Sequence, residues 1–220
     1  MNMSKFPSVN YFDYILVAWL IVGVIRGRKH GMSEELLPVV QWLLIVVASS
    51  QLYAPVAAAI VQNVPGFDRL WANIGSYVGI ALMLKLIFSK IKTAMGEKLV
   101  GSDMFGRGEY YLGILAGVIR FACMYLFFCA ILNARIVTAA ERAQTAKDMK
   151  QWAEGIQLPT YGSVQNGILN ESLSGRFVKD KLSDFLIRSM NGEQARGPKK
   201  MTADQQTQKD LDSVLGTGKK

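Results

Sequence analysis

Four long apolar runs, separated by short polar or charged stretches, fill the first three-fifths of the chain: residues 11–25, 36–53, 70–91 and 110–132. A helix needs roughly 20 apolar residues to cross about 30 Å of hydrocarbon. The last two runs meet that length. The first two are shorter, and Tyr11, Phe12 and Tyr14 extend the first into the interface. The pattern predicts an all-α membrane protein: a four-helix transmembrane bundle over residues 1–134, a helical amphipathic tail over 135–190, and a disordered end over 191–220.

The connections carry their own signals. Residues 26–35 read as a polar turn marked by Gly27 and Gly31, with Ser33 capping the second helix and Glu34 and Glu35 in its first turn. Ala54 to Leu70 is mildly apolar but holds Pro55 and Pro65, which predicts an interfacial segment rather than a span. Residues 92–109 form a glycine-rich, charged loop. The opening residues 1–10 are short and polar, with no small-x-small cleavage site near the first run, so that run is expected to stay.

In the tail, residues 133–154 carry a weak helical stripe of Ile136, Ala140, Ala143 and Met149. A second helix is expected between Gly175 and Met190. Val178, Leu182, Phe185 and Leu186 share one face of it, with Arg176, Lys179, Lys181 and Arg188 around them. Such a helix suits an anionic membrane surface, and equally suits packing against the bundle or a sister chain.

The fourth run places Gly113, Gly117 and Arg120 on one helix face. Small residues at this spacing let another helix approach closely, and a charge inside a bilayer turns toward protein or water. Arg120 is read as an organiser of the bundle, paired with Glu35 or Asp13. Gly75 and Gly79 repeat the small-residue spacing as candidate helix-packing positions. Lys85 lies off that face, close enough to Lys90 to snorkel to the same interface. The tetrapeptide Gly-Val-Ile-Arg occurs twice, at 23–26 and 117–120. An inverted or parallel repeat leaves such traces; chance recurrence in apolar sequence is the preferred reading.

Basic residues in the short loops set orientation. Arg26, Arg28 and Lys29 follow the first run, and Lys90, Lys92, Lys98 and Arg107 follow the third, whereas the connection after the second holds only Arg69. Loops 26–35 and 92–109 are therefore expected in the cytoplasm and both termini outside. The basic tail argues the other way, but long tails translocate largely regardless of charge.

Charge and composition narrow the chemistry. Lys and Arg total 25 against 17 Asp and Glu, for a net charge of +8. The basic residues gather at the ends of apolar runs and in the tail, which favours a lipid surface over nucleic acid. Cys123 and Cys129 sit six residues apart on one proposed helix, about 9 Å at 1.5 Å per residue, too far for a disulfide. The only histidine is His30, and no Cys/His cluster has metal-ligand spacing. There is no phosphate loop, dinucleotide fingerprint or nucleophile elbow. No enzyme, cofactor or metal is expected.

Three stretches carry a resemblance: FDYILVAWLIVGVIRG, HGMSEELLPVVQW and YLGILAGVIRFA. They resemble the colicin V production protein family. Asp13, Gly31, Glu35 and Trp42 match that family's aspartate near the start of the first helix, its arginine-glycine turn, its glutamate opening the second helix and a tryptophan seven residues on. Gly113, Gly117 and Arg120 match its G-x-x-x-G-x-x-R motif. Glu34 stands where the family often has arginine, and Arg28-Lys29 is an added basic pair. The resemblance covers Phe12 to about Leu132 and implies a four-helix protein of the bacterial inner membrane, tied to toxin production or export and to envelope homeostasis. Some relatives carry a periplasmic serine protease after the helices, which implies an external carboxyl end.

Three functional classes follow. The leading one is a non-enzymatic membrane protein that assists an export or envelope process, with the lipid bilayer and export or envelope proteins as partners and homo-oligomerisation open. The second is a small oligomeric channel or transporter in which Arg120 favours anions. The third is a membrane anchor whose tail recruits a soluble partner.

Overall fold

The computed structural model describes residues 10–64, 66–95, 106–152 and 160–190. Among these the chain is helical, without strands. α1 spans Tyr11–Asn63, α2 Arg69–Met95, α3 Glu109–Asn133, α4 Ala139–Trp152, α5 Tyr161–Asn166 and α6 Leu173–Lys181. Three of these helices, α1, α2 and α3, are long and apolar enough to cross a membrane. The expected loop 92–109 and the expected disordered end lie largely outside the described residues, as do the opening residues 1–9.

α1 joins the first two apolar runs. Its helical conformation breaks only at Gly31, at φ 71° and ψ 177°. A side chain rarely adopts that backbone, so glycine is what permits the break. The contacts of α1 with α3 run in opposite directions on the two sides of it. Before the break, Gly23 lies against Gly117 and Gly27 against Gly113, an antiparallel register. After it, Glu35 meets Arg120 and Trp42 meets Phe127, a parallel register. The chain therefore reverses at Gly31, and residues 11–30 and 32–63 form two antiparallel limbs that share α3.

Two expectations are corrected here. Residues 26–30 are helical rather than a turn, and Gly27 is a packing residue. The segment after Tyr53 is also not a separate interfacial piece: α1 continues through Pro55 to Asn63. A proline removes one helical hydrogen bond. Buried Tyr53 and Ala57 continue the packed face across it. The second limb is thus about 48 Å long at 1.5 Å per residue, more than a bilayer core requires.

After Asn63 the chain turns back into α2, which packs on the second limb of α1. An aromatic chain links the layers: Tyr53 with Tyr77 at 6.0 Å, Tyr77 with Phe127 at 5.3 Å and Trp42 with Phe127 at 6.0 Å. Beside an apolar core, several polar side chains are buried and many large apolar ones are exposed. Asp13, Glu35, Ser49, Ser50, Asn73 and Ser76 are inside, while Ile21, Leu82, Leu86, Leu115 and Phe128 are more than half exposed. Apolar surface on that scale needs a lipid or protein cover.

The tail holds fewer helical residues than its pattern suggested. α3 ends at Asn133 and α4 begins only at Ala139. The expected helix from Gly175 to Met190 begins at Leu173, ends at Lys181 and gives way to a 3-10 turn at Ser183–Phe185. Leu186 and Ile187 are buried in the core, which requires the chain to leave the helix and turn inward. α5, a π-helical turn at Gly167–Glu171 and α6 together cap one end of the bundle.

Candidate functional site

The first polar centre lies among the two limbs of α1 and α3. Glu35 is 2% exposed, and its Oε2 accepts from Arg120 Nη1 at 2.8 Å. Arg26 Nε stands 3.8 Å from Glu35 Oε1. One buried carboxylate is thus shared by two cations, Arg120 mostly buried and Arg26 about half exposed. The two copies of Gly-Val-Ile-Arg meet here: Gly23 lies against Gly117, and both arginines reach the same carboxylate. The repeat so marks one site, whatever its origin. Among the described residues the Arg120 Nε has no hydrogen-bond partner.

Close packing makes the centre possible. A Cβ at Gly27 would overlap the Gly113 carbonyl, and one at Gly117 would overlap the Gly23 carbonyl. The obstacles are backbone atoms, which cannot swing aside, so glycine is required for this approach. At the reversal, Glu109 Oε1 accepts from the Ser33 backbone N–H at 3.3 Å, and the Glu109 side chain packs on Gly31. Arg28 stacks over Tyr110 at 5.1 Å. Gly75 and Gly79 behave differently: among the described residues nothing lies within 4 Å of a Cβ at either, so neither holds a close helix contact there.

Asp13 is not near Arg120. It lies at the other end of the first limb, 9% exposed, as the anchor of the cap. Its Oδ2 accepts from the Leu173 backbone N–H at 3.1 Å, and its Oδ1 from Ser174 N–H at 3.1 Å and Ser174 Oγ at 2.8 Å. Ser172 Oγ accepts from Gly175 N–H at 2.9 Å. The first N–H groups of α6 have no intrahelical acceptors, and a carboxylate at that end also meets the positive pole of the helix dipole. Asp13 closes its own helix too, through the Asn10 N–H at 3.1 Å.

Other polar groups of the bundle hold the cap by its backbone. Tyr53 Oη accepts from Arg188 N–H at 3.0 Å, and Asn133 Nδ2 donates to the Ile187 carbonyl at 3.0 Å. Tyr77 Oη donates to the Phe185 carbonyl at 3.4 Å, and in the opposite sense Tyr161 Oη of the cap donates to the Leu132 carbonyl of α3 at 3.1 Å. Burial pushes the Tyr161 phenol up, against the pull of Arg135. Burial lowers the Lys179 ammonium, which donates to Asn170 Oδ1 at 2.7 Å. Sequence reasoning missed Arg26 as the second cation and the whole set of cap anchors. Asp13 was marked, but its partners lie 160 residues away and leave no local signal. Cys123 and Cys129 are buried and free. Among the described residues no group of three His, Cys, Asp or Glu side chains is arranged to hold a metal ion.

Comparison with known proteins places this architecture. A family model described as colicin V production protein matches residues 12–159, which extends past the fourth run and through α4. A curated relative from Haemophilus influenzae, named colicin V production protein homolog, is 20% identical over 152 residues, 69% of this chain and 86% of the relative. No solved structure matches. The match spans well over half of the chain and includes Asp13, Glu35 and the Gly113/Gly117/Arg120 face; the chain belongs to the colicin V production protein family.

Proposed function

We propose that this chain crosses the bacterial inner membrane four times and serves, without catalysis, as a scaffold in toxin production or export or in envelope homeostasis. The observation that carries the four crossings is the reversal at Gly31, with antiparallel contacts to α3 before it and parallel contacts after it. An even number of crossings puts the start of α1, the end of α3 and the cap on one side of the membrane. The basic loops favour the outside for that end. The apolar exterior suits lipid as the surrounding partner. Residues 1–134 form the membrane domain, and 135–190 a tail whose last part rests on it.

The buried Glu35–Arg120 pair supports a structural role for the charge, because the Glu35 carboxylate is shared between Arg120 and Arg26. Export or envelope proteins are the expected partners, and nucleic acid is not. The test is complementation of a deletion strain, scoring secretion of a peptide toxin and resistance to detergent. Arg120→Leu should lose complementation while Lys85→Leu keeps it. A deletion strain normal in both traits, or equal tolerance of both variants at equal protein levels, overturns the proposal.

A further inference from the structure

A cavity of about 450 Å³ opens between the first limb of α1 and the last turns of α3. Phe12, Leu16, Tyr125 and Cys129 form its walls, and Val164 and Ile168 of the cap form its roof. Its lining exposes no polar surface. The volume lies within the roughly 300–1,000 Å³ of ordinary ligand sites. Ile15 and Phe128 also line it, and each is about 60% exposed.

The segment that supplies the roof is itself bonded to two cations of α6. Asn170, two residues beyond Ile168, accepts from Arg176 Nε at 2.7 Å through its carbonyl and from Lys179 Nζ at 2.7 Å through its side chain. Glu171 is the acidic neighbour, and Asn10 and Asn166 donate to it. α6 also presents exposed Leu173 and Phe177 beside these cations. An apolar slot, with two cations bonded to the segment that roofs it, matches one molecule of the surroundings: a phospholipid with an acyl chain inside and an anionic headgroup at the cap. A soluble ligand would leave the walls without any polar partner to orient it.

We propose that this cavity is a binding site for one acyl chain of an anionic phospholipid, and that Arg176 and Lys179 hold its headgroup. The site ties the cap to the bilayer as well as to the bundle. It assumes the membrane reading, and the test separates the two. The full chain is placed in nanodiscs of phosphatidylcholine and phosphatidylglycerol with a trace of phosphatidylglycerol bearing a photoreactive acyl chain. If the membrane reading fails, the chain does not enter nanodiscs and nothing is labelled.

If the site exists, adducts concentrate on peptides carrying residues 12–19 and 125–132. Ile168→Trp, which fills the slot from its roof, should reduce them to the level on the exposed Leu82 and Leu86 face. Val164→Trp serves where Ile168→Trp disturbs the fold, judged by an unchanged protease pattern. Arg176→Gln with Lys179→Gln should reduce labelling by the phosphatidylglycerol probe and leave a phosphatidylcholine probe unaffected. Labelling spread evenly over all exposed apolar faces, labelling indifferent to both tryptophan variants, equal labelling by the two probes, or cross-links to a second copy at this mouth would each overturn the proposal.

Discussion

Removing the Glu35 carboxylate is expected to harm the bundle more than removing the Arg120 guanidinium. Glu35 is 3% exposed at its side chain and Arg120 17%, so neither reaches bulk water freely. In Glu35→Leu, Arg120 loses its acidic partner and keeps its charge. Breaking a buried pair in this way costs about 3–5 kcal/mol. In Arg120→Leu, Glu35 still faces Arg26 at 3.8 Å, so the loss falls near the lower end of that range, about 3 kcal/mol. The double variant leaves only Arg26, whose side chain is 53% exposed and can turn to headgroups. Replacing both members of a buried pair by apolar groups is often neutral or better. The double variant should therefore recover most of the stability, so that the coupling in the double-mutant cycle approaches the sum of the two single losses, about 6 kcal/mol. Unfolding in bicelles measured by steric trapping gives all four corners. The reasoning is refuted if Arg120→Leu costs more than Glu35→Leu, or if the two losses simply add.

Other substitutions separate the remaining contacts. Gly27→Ala or Gly117→Ala puts a methyl into a facing backbone carbonyl, and should lower stability by about 1–3 kcal/mol, as overpacking does. Gly75→Ala should leave bicelle stability of the monomer unchanged, because its Cβ meets open space. Asp13→Ala removes the acceptor for Leu173 and Ser174, and a lost cap costs about 0.5–2 kcal/mol; limited proteolysis should then cut within 160–190 while the three long helices stay protected. Tyr53→Phe removes the acceptor for the Arg188 N–H. It should loosen the same cap in hydrogen exchange, leaving the Glu35 cycle unaffected.

The helices were legible because lipid imposes a crude rule, a long apolar run, that composition alone reveals. α2 and α3 show it most directly. The Gly113, Gly117 and Arg120 face was legible because i, i+4 and i+7 positions share one side of a helix. Gly27 was misread because glycine before a charged stretch signals a turn and a close helix contact equally well; only the facing Gly113 distinguishes them. Pro55 was misread as a stop, since a local rule does not see the packed face formed by Tyr53 and Ala57. Gly75 and Gly79 show the limit from the other side, with the right spacing and no neighbour. The cap was hidden because most of the groups its anchors hold are backbone groups, which any residue type provides. Ser172 is one exception, a recognisable N-cap. The shared carboxylate needed the reversal at Gly31 before Arg26 and Arg120 could be seen to converge.

The reversal at Gly31 is also where the account is most exposed. Reporter fusions after Lys29, Gly66, Gly101 and Lys220, read with an enzyme active only in the cytoplasm and another active only outside, test it directly. The account predicts cytoplasmic activity after Lys29 and Gly101, and outside activity after Gly66 and Lys220. Finding Lys29 and Gly66 on the same side would mean that α1 does not fold back across the membrane, and the four-crossing bundle with its shared carboxylate would be contradicted.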